Sequence, residues 1–131
     1  MSDSRAKPRQ RILMVDQDLD LRVGLGLMLT SAGYEVSHTD NGNEAIAMHR
    51  CNPFDIVIVD MVLPGKDGLE TMTALRSESS PPKFIATSGE GRFPAALYLR
   101  MAGLLGAQRV LAKPFESEQL LAAVQSVLGE I

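Results

Sequence analysis

Residues 11–18 read RILMVDQD and residues 55–60 read DIVIVD. Each is a short apolar run that stops on an aspartate. The runs Ile12–Val15 and Ile56–Val59 are continuous rather than alternating, which is how strands buried on both faces of a parallel sheet read. Phe84–Ala86 (FIA) and Val110–Ala112 (VLA) follow the same pattern. A fifth candidate, Tyr34–Thr39 (YEVSHT), alternates and reads as a more exposed edge strand.

Helical patterns fill the gaps. In 19–32, Leu21, Leu25, Met28 and Leu29 form one apolar stripe, and Gly33 stands where a C-cap glycine belongs. Segment 43–50 carries Ala45 and Ile46 with His49 or Met48. Segment 68–77 carries Leu69, Met72 and Leu75. Segment 95–105 is strongly apolar, and 116–128 carries Leu120, Leu121, Val124, Val127 and Leu128. Strands alternating with helices predict an α/β fold with a parallel sheet. A flavodoxin-like, doubly wound (βα)5 sandwich of strand order 2-1-3-4-5 suits the length.

In such a sheet every strand's carboxyl end lies on one edge, and ligands bind where the strand order reverses. The residues that follow the runs are Asp16, Asp60, Thr87 with Ser88, and Lys113. Two carboxylates, a hydroxyl and an ammonium are thus expected in one crevice. Clustered carboxylates with room for water suit Mg²⁺. Phosphoryl transfer depends on positioning and charge compensation, and a carboxylate can serve as its nucleophile. The acids alone are a weak signal, whereas the four strand-end groups together are a strong one.

These residues carry a resemblance. DIVIVDMVLPGKDGLE, FIATSG and VLAKPF resemble the corresponding segments of the receiver domain of two-component response regulators, over roughly residues 11–130. The resemblance implies Asp60 as phosphoacceptor, Ser88 as switch hydroxyl and Lys113 as phosphate-binding lysine. It implies a Mg²⁺ site at Asp16, Gln17, Asp60 and Val62, with Pro64, Asp67 and Gly68 in the loop beyond. It also implies a cis Lys113–Pro114 peptide. A sensor histidine kinase or phosphotransfer protein would donate the phosphoryl group. A downstream protein target would read a surface on the fourth helix, fifth strand and fifth helix.

Three positions depart from the family pattern. Gln17 replaces the second acid of the usual pair. Val110 stands where an aromatic residue often rotates on activation. The segment around GEGRFPAALYLR is a few residues longer than usual. Val62, at the place that helps orient the attacking water in the family, offers no side-chain hydrogen bond.

Composition narrows the alternatives. The 131 residues suit one domain, with residues 1–10 a flexible polar, basic tail and 11–131 the receiver. Little chain remains for an effector domain, so a stand-alone receiver is expected. A net charge of −3 offers no broad basic field for nucleic acid. No apolar run approaches the ~20 residues that cross a bilayer, and the start of the chain does not read as a secretory signal. Cys51 is the single cysteine, so no disulfide framework or CxxC motif is present. A cytoplasmic signalling protein, not a turnover enzyme on a separate substrate, is the expectation. Gln17 favours a rival within the fold, a degenerate receiver that binds partners without phosphate.

Other features read as structural. Met14, Met28, Met48, Met72 and Met101 read as core filler, and Asp18 as the cap of the first helix. His38 and His49 share no ligand spacing. Gly24 and Gly26 lie inside the helical stripe, not after a strand, so they are no nucleotide fingerprint. Asp16-Gln17-Asp18 is the DxD that opens haloacid-dehalogenase-like phosphatases, but Asp20 stands where that family has Thr or Val, and no cap domain fits.

Overall fold

In a computed structural model of the chain, residues 9–63, 67–89 and 94–130 are described. The expected tail up to Pro8, Pro64, and the segment 90–93 with Glu90 and Phe93 lie outside them. The elements are β1 (Arg11–Val15), α1 (Leu19–Ser31), β2 (Glu35–Thr39), α2 (Gly42–Cys51), β3 (Ile56–Asp60), α3 (Gly68–Arg76), β4 (Lys83–Ser88), α4 (Ala95–Leu104), β5 (Arg109–Ala112) and α5 (Ser117–Val127). The strands form one parallel sheet of order β2-β1-β3-β4-β5. Fold class and strand order are those expected from the sequence.

Strand side chains alternate between faces, and the sheet carries two cores accordingly. Leu13, Val15, Val57, Val59, Phe84 and Ala86 pack with Ala45 and Ile46 of α2, Met72 and Leu75 of α3 and Ala102 of α4. Ile12, Met14, Ile56, Ile58 and Ile85 pack with Leu25 and Leu29 of α1 and with Leu120, Ala123, Val124 and Val127 of α5. Both faces being covered explains why the β1 and β3 runs are continuous.

Local chemistry sets the boundaries. The Asp18 carboxylate accepts from the Leu21 amide and caps α1. Gly33, at φ 103°, turns the chain out of α1 in a left-handed conformation that suits glycine. Asp67 and Glu70 form a capping box at α3. His49 is buried: its Nδ1 accepts from the Phe54 amide and its Nε2 meets the Ser80 carbonyl, pinning α2 to the loops that enter β3 and β4.

Two expectations need correction. The run 110–112 does not form a strand buried on both faces: β5 is a sheet edge, and Val110 is 41% exposed. Likewise α4 forms where expected, but among its described residues only Ala102 is buried, and Leu97, Met101 and Leu104 face solvent. Met101 is therefore not core filler, whereas Met14 and Met72 are. An apolar run reports low polarity, and an outer strand with a thinly packed neighbouring helix produces the same letters as a buried one.

Candidate functional site

The strand order reverses between β1 and β3, whose chains leave for opposite sides of the sheet. Asp16 follows β1 and Asp60 closes β3, so both carboxylates fall at that point, and both are buried, 4% and 3% exposed. Lys113 follows β5 and reaches across the edge. Its Nζ donates to Asp16 Oδ2 at 2.7 Å and to Asp60 Oδ2 at 3.0 Å. One ammonium thus holds two buried acids together.

The other two carboxylate oxygens are held by backbone. Asp16 Oδ1 accepts from the Asp18 amide at 2.9 Å, and Asp60 Oδ1 accepts from the Val62 amide at 3.0 Å. Burial pushes the Asp60 carboxyl above the usual carboxylate range, against the downward pull of the Val62 amide and the Lys113 ammonium. Burial alone would lower Lys113. Its hydrogen bonds to Asp16 and Asp60, with their charges, prevail and hold it above the ordinary lysine value.

Ser88 ends β4 and is fully buried. Its Oγ donates to the Gly89 carbonyl at 2.8 Å, so the hydroxyl is turned to backbone rather than to the acids. The Lys113 amide donates to the Ser88 carbonyl at 2.8 Å, which ties the two strand ends. A Cβ on Gly89 would lie 3.7 Å from the Lys113 stem, an ordinary packing distance, so Gly89 sits directly beside the lysine. The Lys113–Pro114 peptide is cis, as the resemblance implies. Gln17 is exposed beside Asp16, and Val62 is half-buried beside Asp60.

Four contacts at the site escaped the sequence reading. The Val62 and Asp18 amides carry no letter in a sequence. Arg22, buried in α1, donates from Nη1 to the Asp16 carbonyl at 2.6 Å; its signal is a charged residue within one turn of an apolar stripe. Gly68 packs α3 against the end of β3: a Cβ there would lie 2.5 Å from the Asp60 carbonyl oxygen and from Met61 Cα.

The donor set suits a hard divalent ion. Two carboxylates converge, and the Gln17 amide and Val62 carbonyl are neutral oxygens nearby in sequence. Mg²⁺ commonly takes one or two carboxylates and keeps several waters. Among the described residues no group of three or more His, Cys, Asp or Glu could hold a metal, so such an ion would rest on two acids.

Fold and cluster together define a doubly wound α/β protein with an acid–lysine–acid centre at its switch point. The family profile of the response regulator receiver domain matches residues 12–125. Transcriptional regulator ycf27 of Cyanidium caldarium is 32% identical over 132 residues, covering 100% of this chain and 51% of that protein. The chain thus spans about half the length of that curated relative. A solved structure described as a response regulator from Chloroflexus aurantiacus J-10-fl is 30% identical, with a TM-score of 0.85 over 93% of this chain and 99% of that one. The chemotaxis response regulator CheY4 of Vibrio cholerae is also 30% identical, with a TM-score of 0.81 over 92% and 99%. The chain belongs to the response regulator receiver domain family of two-component systems. Receiver domains are signalling domains rather than turnover enzymes, and they generally bind Mg²⁺ at the acidic phosphorylation site. Among the described residues no helix is long and apolar enough to cross a membrane.

Proposed function

We propose that this receiver accepts a phosphoryl group on Asp60 from a histidine kinase or phosphotransfer protein and changes its partner-binding surface in response. The supporting observation is the Lys113 ammonium bridging two buried carboxylates, Asp16 and Asp60. An Asp60 oxygen attacks phosphorus, the phosphorus–nitrogen bond of the donor phosphohistidine breaks, and the imidazole leaves with the bond pair. Lys113 is placed to meet the charge that arrives on the phosphoryl oxygens, and the Val62 amide keeps the carboxylate oriented. Ser88 gives up the Gly89 carbonyl and turns its hydroxyl to the phosphoryl group. Asp16, Asp60, the Gln17 amide and Val62 would hold Mg²⁺, which would supply charge neutralisation for phosphoryl transfer. Autophosphatase loss of the phosphate is slow, because Val62 brings no polar side chain to an attacking water. The reading entails a cytoplasmic protein and a downstream protein target.

The test is the intact mass after incubation with acetyl phosphate and Mg²⁺. Wild type gains one phosphoryl group and Asp60→Asn gains none. An Asp60→Asn protein that is phosphorylated at equal yield overturns the assignment.

One observation favours a second reading, a receiver that binds its partner without phosphate. Gln17 removes one charge from the metal site. A charge pair a few ångströms apart near a surface is worth roughly 1–4 kcal/mol, and partial compensation by the amide puts the loss at the low end, about tenfold in affinity per ~1.4 kcal/mol. Gln17→Asp therefore tightens Mg²⁺ binding and speeds phosphorylation at limiting Mg²⁺. Wild type that takes no phosphate at saturating Mg²⁺ selects the second reading.

A further inference from the structure

We infer that Arg22 is a positioning residue for this centre, fixing the turn that presents the Asp16 carboxylate. The consequence for chemistry rests on the phosphoacceptor reading; the geometry does not. Arg22 is four residues into α1 from Asp18, and helical side chains lean back toward the N-terminus. That lean carries the guanidinium to the end of β1. Nη1 donates to the Asp16 carbonyl at 2.6 Å, and Nε donates to Nδ1 of His38 on β2 at 3.1 Å. The His38 Nδ1 is therefore an acceptor, and the proton of the neutral ring sits on Nε2.

Arg22 is buried, yet among the described residues no carboxylate lies within ion-pair distance of it. A buried guanidinium held only by neutral acceptors is costly, and an apolar residue of similar volume would pack as well. What the arginine adds is a fixed carbonyl. The Asp16 amide is already bound to the Thr39 carbonyl at 3.1 Å. With Arg22 on its carbonyl, both backbone groups of Asp16 are held, and the carboxylate keeps Lys113 and the Asp18 amide in reach. In most receivers two adjacent acids share the attraction for a cation. Here Gln17 is neutral, so the placement of Asp16 carries more of it.

Arg22→Met removes both hydrogen bonds and keeps an unbranched side chain; Arg22→Lys keeps the charge and one donor. Each is compared with wild type by amide hydrogen exchange, Mg²⁺ titration and phosphorylation by acetyl phosphate. In Arg22→Met the Asp18 amide exchanges about tenfold faster, while amides in β3 stay protected. The apparent Mg²⁺ constant weakens several-fold, the phosphorylation rate at saturating Mg²⁺ falls less, and Arg22→Lys recovers part of both. Unchanged Asp18 exchange and Mg²⁺ affinity in Arg22→Met overturn the inference, as does exchange that rises uniformly through the sheet in both variants. If wild type takes no phosphate but Asp18 exchange still responds to Arg22→Met, the phosphoacceptor reading falls and the positioning of Asp16 stands.

Discussion

β3 and β5 read almost alike as sequence and behave differently as structure. IVIVD is buried at every position between β1 and β4. RVLA lies at the sheet edge, with Arg109, Val110 and Ala112 exposed. The carboxylate proposed as acceptor, Asp60, ends the first strand, and the lysine follows the second. The lesson is a division of labour. Chemistry needs a carboxylate that does not move, and β3 supplies it through burial, the Val62 amide and the close packing of Gly68. The proposed signalling needs a surface whose packing is cheap to change, and α4 and β5 are thinly packed. Burying one residue of α4 leaves little to lose when that helix shifts.

The sharpest break in the comparison is a truncation on each side. Ile56→Ala removes a fully buried β3 side chain and costs about 2–5 kcal/mol in chemical denaturation. A cost below about 1 kcal/mol would mean that β3 is no more tightly held than β5.

Gly68→Ala comes next. The new Cβ would meet the Asp60 and Met61 backbone at 2.5 Å, and backbone cannot step aside as a side chain can. α3 must back away from β3, costing about 1–3 kcal/mol and displacing Asp60, the proposed acceptor. Stability falls and phosphorylation slows together. Loss of stability with an unchanged phosphorylation rate would show that the acceptor's position does not depend on this contact.

Asp60→Asn has the opposite sign. Because burial raises the Asp60 carboxyl, the folded state holds that proton more tightly than the unfolded chain does. Ionising Asp60 therefore costs stability as pH rises above the ordinary Asp value, and the cost is complete once pH passes the raised folded value. Asparagine removes it, so the unfolding midpoint at neutral pH rises above that of wild type. The gain shrinks as pH falls through the raised folded value and is gone below the ordinary Asp value. Lys113 runs the other way. Its raised ammonium contributes stability that is present below the ordinary lysine value and lost as pH rises through the folded one. A neutral-pH midpoint for Asp60→Asn below that of wild type would contradict the balance of burial over pairing at Asp60.

Val110→Ala is the smallest effect. The side chain is 41% exposed, so the loss stays near 0.5 kcal/mol. A cost like that of Ile56→Ala would erase the contrast between the strands.

Much of the fold was legible because its signals are side-chain periods. Continuous β-branched runs marked β1 and β3, the apolar stripe marked α1, and Asp18 and Gly33 marked its ends. The strand-end rule then brought Asp16, Asp60 and Lys113 to one place, and the structure puts Lys113 within 3.0 Å of both acids. The exposure of Val110 and Leu104 was not legible, because apolar letters do not say how much neighbouring structure covers them. His49 was half-read: it was one of two candidates, with Met48, for the apolar face of α2, and its bond to the Ser80 carbonyl reaches a loop 31 residues away. Ser88 was legible at the end of the fourth strand, but the partner of its hydroxyl, the Gly89 carbonyl, was not. Rotation of a hydroxyl is a state of the molecule that sequence does not encode.

Hydrogen exchange of wild type, with and without acetyl phosphate and Mg²⁺, tests the division of labour most directly, with Asp60→Asn as the control. Phosphorylation should alter exchange in peptides of α4 and β5, leave the interior of β3 protected, and do neither in the control. Changes confined to the peptides around Asp16 and Asp60, with α4 and β5 unmoved, would contradict it.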